Sequence, residues 1–282
     1  MSPTVAVVTD STAYLPRQEI SHLGIITVPL QVVVGGRALD DVAQIDGARM
    51  SDALRKWVPV TTSRPTPQRF ADAYGEAAAR GAAGVVSIHL SGKMSGTVEA
   101  ARAGAEDSPI PVDVIDSRSI AMGLGFPVLA AAEAAARGAT RAEVADAARR
   151  CMDSTRSFFY VDTLEYLRRG GRIGAAATLL GSALMIKPLL HIADGAIVPL
   201  EKVRTAARAI ARLEDLAVQA AGTGPVNVAV QHIDAQSRAE ALAVHLSQRI
   251  PELVKTSVVE VGAVIGAHAG PGMLGLTVSP QL

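Results

Sequence analysis

The chain has 282 residues, 49% of them hydrophobic and only 3% aromatic, so it has enough apolar content for one large or two ordinary domains with aliphatic cores. Its 27 basic and 27 acidic residues cancel, which excludes a bulk field drawing it to nucleic acid or to an anionic membrane. A single cysteine, Cys151, excludes an internal disulfide framework and a cysteine-built zinc cluster.

No apolar run reaches the length of a membrane span. The N-terminus enters a strand without a basic region and an apolar signal core, so a soluble cytoplasmic protein is the expectation. Residues 5–9 form a β-rich run that ends in Asp10-Ser11-Thr12, a strand-to-loop junction carrying small polar groups. Residues 25–34 read as extended, Gly35-Gly36 as a turn, and Asp46 as the cap of a helix running to Trp57. Three prolines between 58 and 67 hold Thr61, Thr62 and Ser63 in a stiff, extended turn ahead of a helix over 68–80. Turn and cap chemistry accounts for those hydroxyls locally.

Residues 84–102 are the centre of the chain's chemistry. Val85, Val86, Ile88 and Leu90 predict a buried parallel strand, and Thr97, Val98, Ala100 and Ala101 predict the start of a helix. Between them lies a hydroxyl-rich turn from Ser91 to Thr97, at the strand end where open α/β sheets bind ligands and helix N–H groups favour an anion. The same residues also suit an ordinary strand-to-helix turn with Ser95 as N-cap, and the segment alone leaves both readings open. The turn is not a Walker loop, because Gly92-Lys93 is followed by Met94. Gly123-Leu124-Gly125 is not a dinucleotide fingerprint either, lacking a third glycine and being followed by Pro127.

A strand over 112–116 and a long Ala-rich helical region to Arg150 complete an alternating α/β first half. From 158 the style changes. A helix over 164–169 ends at Gly170-Gly171 and restarts over 175–185, and Pro188 stops it. Arg168 and Arg169 complement the helix dipole, whereas Arg172 lies beyond the cap. Asp194-Gly195 is the strongest hairpin signal. Lys202 and Arg204 follow, then a helix over 205–221, a strand over 226–232, a helix over 235–249 and a strand over 257–261. A glycine-rich turn over 262–272 surrounds His268, and a strand over 274–279 closes the chain.

Of the six histidines, His268 stands out because Gly266, Gly270 and Gly272 would let backbone approach a ligand. Alternation turns His89 away from Ile88 and Leu90, and His22, His191, His232 and His245 belong to no motif. Neither HxxxH nor HExxH occurs, so no metal site is expected. Ser95, His268 and Asp10 or Asp116 would compose a nucleophile, base and orienter, yet there is no Gly-x-Ser-x-Gly elbow. Ser95 and Thr62 as hydroxyl donors to a carboxylate ask for less.

Eight segments taken together resemble the DegV family of bacterial lipid-binding proteins: VTDSTAYLP (8–16), TTSRPTP (61–67), HLSGKMSGT (89–97), VIDSRSIAMGLG (114–125), DTLEYLRRGGRIG (162–174), IKPLL (186–190), DGAI (194–197) and GAHAGPGMLG (266–275). The resemblance implies two α/β domains, 1–158 with a mainly parallel sheet and the head-group loops, and 159–282 with a mixed sheet. It implies one palmitate-like long-chain fatty acid buried in the interior. It also implies a carrier subunit of fatty acid kinase, without cofactor, metal or catalytic residues of its own. Such a carrier presents the carboxylate to an ATP-dependent kinase subunit, and the acyl phosphate feeds phospholipid synthesis. By position, Thr62 and Ser95 would hold the carboxylate, Gly96 would add an N–H, His268 would close the network, and Arg172 and Arg204 would face the kinase.

The chain departs from the family pattern at Gly92 and Met94, where serine and leucine are usual, and at Arg64 and Thr66, where glutamine and serine are common. Burying the acyl chain gains about 0.8 kcal/mol per CH₂, so the chain outweighs the head group. Two other functions fit the same residues: a serine-dependent acyl hydrolase using Ser95 and His268, and a lipid sensor without a kinase.

Overall fold

The computed structural model describes residues 4–45, 47–56 and 58–281. In chain order its elements begin β1 (Val5–Asp10), α1 (Arg17–Leu23), β2 (Ile26–Val28), β3 (Gln31–Val34), β4 (Arg37–Asp40), α2 (Gly47–Arg55), β5 (Val60–Ser63) and α3 (Pro67–Ala79). They continue β6 (Gly84–His89), α4 (Thr97–Glu106), β7 (Val112–Asp116), α5 (Met122–Ala136), α6 (Arg141–Ser154), β8 (Arg156–Tyr160) and α7 (Glu165–Arg169). The last are β9 (Lys187–Ala193), β10 (Ala196–Val203), α8 (Ala206–Ala221), β11 (Val226–His232), α9 (Gln236–Arg249), β12 (Leu253–Glu260), α10 (Ala263–Ala269) and β13 (Leu274–Pro280). The predicted cap Asp46 and the predicted helix end Trp57 lie outside the described residues.

Contacts group the chain into two units: the residues up to Gln31 with Ser63–Asp153, and Val32–Thr62 with the residues from Ser154 onward. A single cut after residue 158 differs from this grouping in two places. Strand β8 pairs with β13 and β9, inside the second unit's sheet, and the excursion over 32–62 also joins the second unit.

The first unit holds a four-stranded parallel sheet in the order β2-β1-β6-β7. Every residue of β6 is buried, as a strand covered on both faces requires. Phe70 and Tyr74 of α3 and Ala100 and Ala101 of α4 pack with Val8, Ile26 and Val85, while α5 lies against β1 and β6. From β1 the chain moves to one edge of the sheet, and from β6 to the other. The carboxyl ends of β1 and β6 therefore form a topological switch point, the position where such sheets bind ligands. Asp10-Ser11-Thr12 and the turn beginning at Ser91 both emerge there.

Because β6 is covered on both faces, His89 is buried along with the rest of the strand. The imidazole is fully buried, edge-on to Phe70, with Nδ1 3.1 Å from Asp10 Oδ2 and Nε2 2.7 Å from Ser87 Oγ. Ser87 Oγ lies 2.9 Å from the Tyr74 hydroxyl, so a polar chain crosses the core. Asp10 also accepts from the backbone N–H groups of Thr12 and Leu90 at 3.0 Å each, tying both loops of the switch point together. Burial pushes the Tyr74 phenol up to about 12.

The second unit is organised on a mixed six-stranded sheet in the order β10-β9-β8-β13-β11-β12, with β11 and β12 parallel and the other neighbours antiparallel. Leu213 and Leu216 of α8 and Leu242 and Leu246 of α9 pack with Tyr160, Leu189, Val228 and Leu276 over it. Asp194 and Gly195, with φ of 47° and 78°, make the predicted hairpin between β9 and β10. Two predicted elements differ. The restarted helix over 175–185 is a 3-10 helix (Gly174–Met185), entered through Gly174 at φ 53°. The glycine-rich turn around His268 contains a short α-helix, α10. Among the described residues, no helix is long and apolar enough to cross a membrane.

Candidate functional site

In the first unit, the turn after β6 is built by its own hydroxyls and backbone. The N–H groups of Met94 and Ser95 donate to the Ser91 carbonyl at 2.9 and 3.1 Å, and Ser91 N–H donates to the Ser119 carbonyl at 2.9 Å. Asp116 accepts from Gly92 N–H at 3.2 Å and from Arg118 N–H at 2.8 Å, so it holds the turn. Gly96, not Ser95, is the N-cap of α4, and no side chain caps that helix. Ser95 Oγ lies 2.8 Å from Thr97 Oγ1 instead. Two hydroxyls sharing one bond retain one O–H hydrogen for a further acceptor. That hydrogen and the uncapped N–H groups at the start of α4 suit an oxyanion. Arg64 reaches the Gly96 carbonyl at 3.4 Å and places a cation beside the turn.

The second unit contributes Thr62, at the end of β5, and His268, on α10. Thr62 Oγ1 and His268 Nε2 lie 2.8 Å apart. Among the described residues His268 Nδ1 is buried without a hydrogen-bond partner. Burial, reinforced by the charge of Arg172, pushes the His268 imidazole down to about 4, so it is neutral at pH 7. A buried, unpaired N–H costs more than an unpaired acceptor, which favours the tautomer protonated on Nε2. In that tautomer Nε2–H donates to Thr62, and the Thr62 hydroxyl hydrogen is available to another oxygen.

The ring is fixed from behind by Gly170, where a Cβ would overlap it. The sequence marked Gly170 only as a helix end. The glycines around His268 serve packing: Gly266 admits Met50, Gly270 the Tyr166 ring, and Gly272 the Asp162 carboxylate. Arg172 is exposed and donates to the Gly170 carbonyl at 2.6 Å, and Arg204 is exposed in the bend between β10 and α8. Thr62 and His268 are thus brought into direct contact, and Ser95 and Gly96 into one turn. Asp10 is engaged within the first unit by His89, Thr12 and Leu90. Among the described residues, no three His, Cys, Asp or Glu side chains are grouped to hold a metal ion.

The DegV family model, described as a family of uncharacterised proteins, matches residues 4–281. A DegV domain-containing protein of Streptomyces coelicolor is 55% identical over 281 residues, covering 100% of both chains. Protein DegV of Bacillus subtilis is 35% identical over 276 residues, covering 96% of this chain and 98% of its own. Among solved structures, one of a DegV family protein from Thermus thermophilus, described for its fatty acid binding, superposes with a TM-score of 0.93 at 33% identity. That match covers 98% of this chain and 99% of the other. DegV from Bacillus subtilis, described as a fatty acid binding protein, gives a TM-score of 0.91 at 33% identity with the same coverage.

Proposed function

The chain belongs to the DegV family, and from that footing we propose that it binds one long-chain fatty acid and presents the carboxylate to a partner ATP-dependent kinase. The observation that carries this reading is the Thr62–His268 pair, in which a neutral imidazole leaves a hydroxyl hydrogen for an oxyanion. The Ser95–Thr97 pair and the uncapped start of α4 supply matching donors in the first unit. The fatty acid binding of the Thermus thermophilus and Bacillus subtilis proteins supports the same class of ligand.

The donors are suited to holding a carboxylate and less to attacking an ester. Among the described residues, His268 Nδ1 has no hydrogen-bond partner to orient the ring, and Ser95 Oγ lies 2.8 Å from a threonine hydroxyl. The protein therefore acts as a carrier without catalytic residues, and Arg172 and Arg204 are the cations that meet the kinase. A C16 chain gains on the order of ten kcal/mol from burial before association costs, so cargo is retained chiefly by its tail.

The test combines Arg172→Glu with Arg204→Glu. Fatty acid content should stay at the wild-type level, while acyl phosphate formation with a DegV-partner kinase and ATP falls at least tenfold. Unimpaired formation would remove both arginines from the kinase face. Loss of bound lipid would move them into the lipid site.

A further inference from the structure

Helix α10 carries His268 and has no cap of its own, since its N-cap is Gly262 and no neighbouring side chain in sequence closes it. The first N–H groups of a helix have no partner within that helix. Here they are met by Asp41, which lies 222 residues away in sequence. Asp41 Oδ1 accepts from Ala263 N–H at 2.8 Å and from Val264 N–H at 3.3 Å, and Asp41 is only 1% exposed.

The loop around Asp41 is built to hold this position. Val42 N–H donates to the Ile45 carbonyl at 3.2 Å and Gln44 N–H to the Asp40 carbonyl at 2.9 Å, while the Gln44 side-chain oxygen accepts from Asp40 N–H at 2.8 Å. Val42 itself sits at φ 67°, a left-handed conformation that a β-branched residue adopts only at a cost. Farther along, Gly47 comes close to the Val261 carbonyl and Gly266 to Met50, contacts of 3.0 Å for any added Cβ, so α2 lies tightly on α10. The same excursion ends in Thr62, the hydrogen-bond partner of His268. It therefore grips α10 at its start through Asp41 and near its end through Thr62.

We propose that Asp41 is a positioning residue of the head-group site: by capping α10 it sets where His268 Nε2 meets Thr62. Its functional meaning rests on the fatty-acid reading above, but its structural content does not.

The experiment compares full-length wild type, Asp41→Ala and Asp41→Asn. The first readout is His268 ring NMR in lipid-free protein, and the second is palmitate affinity. Asp41→Ala should shift the His268 ring signals and weaken palmitate binding about fivefold, the factor a single helix cap is worth. Asp41→Asn keeps the acceptor oxygen and should restore both to near wild type. His268 signals and affinity unchanged in Asp41→Ala overturn the proposal, as does Asn proving as damaging as Ala. If Asp41→Ala does not fold, amide exchange decides in wild type. Protection at both Ala263 and Val264 is expected, and free exchange at both overturns the assignment. A wild type that takes up no fatty acid would remove the functional reading alone, because the lipid-free readouts would still judge Asp41.

Discussion

Gly170 offers the sharpest perturbation of the site, since its backbone accepts any residue and its surroundings accept none. Its φ is −74°, an ordinary helical value, so alanine brings no conformational strain there. An added Cβ would lie 2.7 Å from His268 Cε1 and 3.2 Å from Cγ, overlapping the ring edge at Nδ1. Restoring van der Waals distance moves the imidazole by more than about 1 Å, enough to break a bond to Thr62 that is 2.8 Å long. Overpacking costs about 1–3 kcal/mol and the lost hydrogen bond about 1 kcal/mol, so Gly170→Ala should destabilise by about 2–4 kcal/mol. Gly171 is the control. It has φ 68° and nothing within 4 Å of an added Cβ, so Gly171→Ala costs about 1 kcal/mol through backbone conformation and leaves His268 in place. Urea denaturation measures the costs, and the His268 ring resonances report the geometry. If Gly170→Ala is as stable as wild type with an unshifted His268, the packing argument for the site is refuted.

The remaining predictions concern pH, the buried network and the ligand. His268 titrates near 6.5 when unfolded and is pushed down to about 4 by burial and Arg172, so the unfolded chain binds more protons between those values. Its contribution to stability is complete above pH 6.5 and declines as pH falls toward 4. The ceiling is about 3 kcal/mol, reduced to about 1–2 because the ring keeps some contact with solvent. Urea denaturation at pH 7 and 4.5 should show His268→Gln losing less stability than wild type on acidification, and equal losses would contradict the burial account. Tyr74→Phe leaves buried Ser87 Oγ with one partner fewer and should cost about 1–2 kcal/mol by the same method, whereas a neutral change would mean the polar chain adds nothing. Thr62→Val and Ser95→Ala should each weaken fatty acid binding about tenfold. Shortening the ligand from C16 to C12 should weaken it by more than 100-fold, from about 3 kcal/mol of lost burial. Calorimetry that ranked the hydroxyls above the chain would reverse the assignment of affinity.

The parallel sheet was legible because β1 and β6 are continuous apolar runs, and the hairpin because Asp194-Gly195 needs two positive φ values. The polar loops after β1 and β6 were visible as small hydroxyl-rich stretches, and their meeting at a switch point follows from strand order. What local pattern could not carry was long-range pairing. Nothing within 32–62 announces that it joins the second unit, where Asp41 reaches α10 and Thr62 reaches His268. The glycines around His268 read as a loop for the same reason: their purpose is to admit Met50 and Tyr166, which lie far away in sequence. Alternation places His89 on the face opposite Ile88 and Leu90, but its partners Asp10 and Ser87 could not be read from that, because β6 is buried on both faces. Ser95 gave up the cap to Gly96 and joined Thr97, a choice decided by side-chain geometry within one turn.

Native mass spectrometry of the purified protein, followed by solvent extraction and identification of what is released, bears most directly on the carrier reading. It should find one fatty acid of roughly palmitate length per chain, lost on denaturation and absent from the protein's covalent mass. A protein that is empty as purified and takes up no added fatty acid, or one holding a polar metabolite in place of lipid, would contradict it.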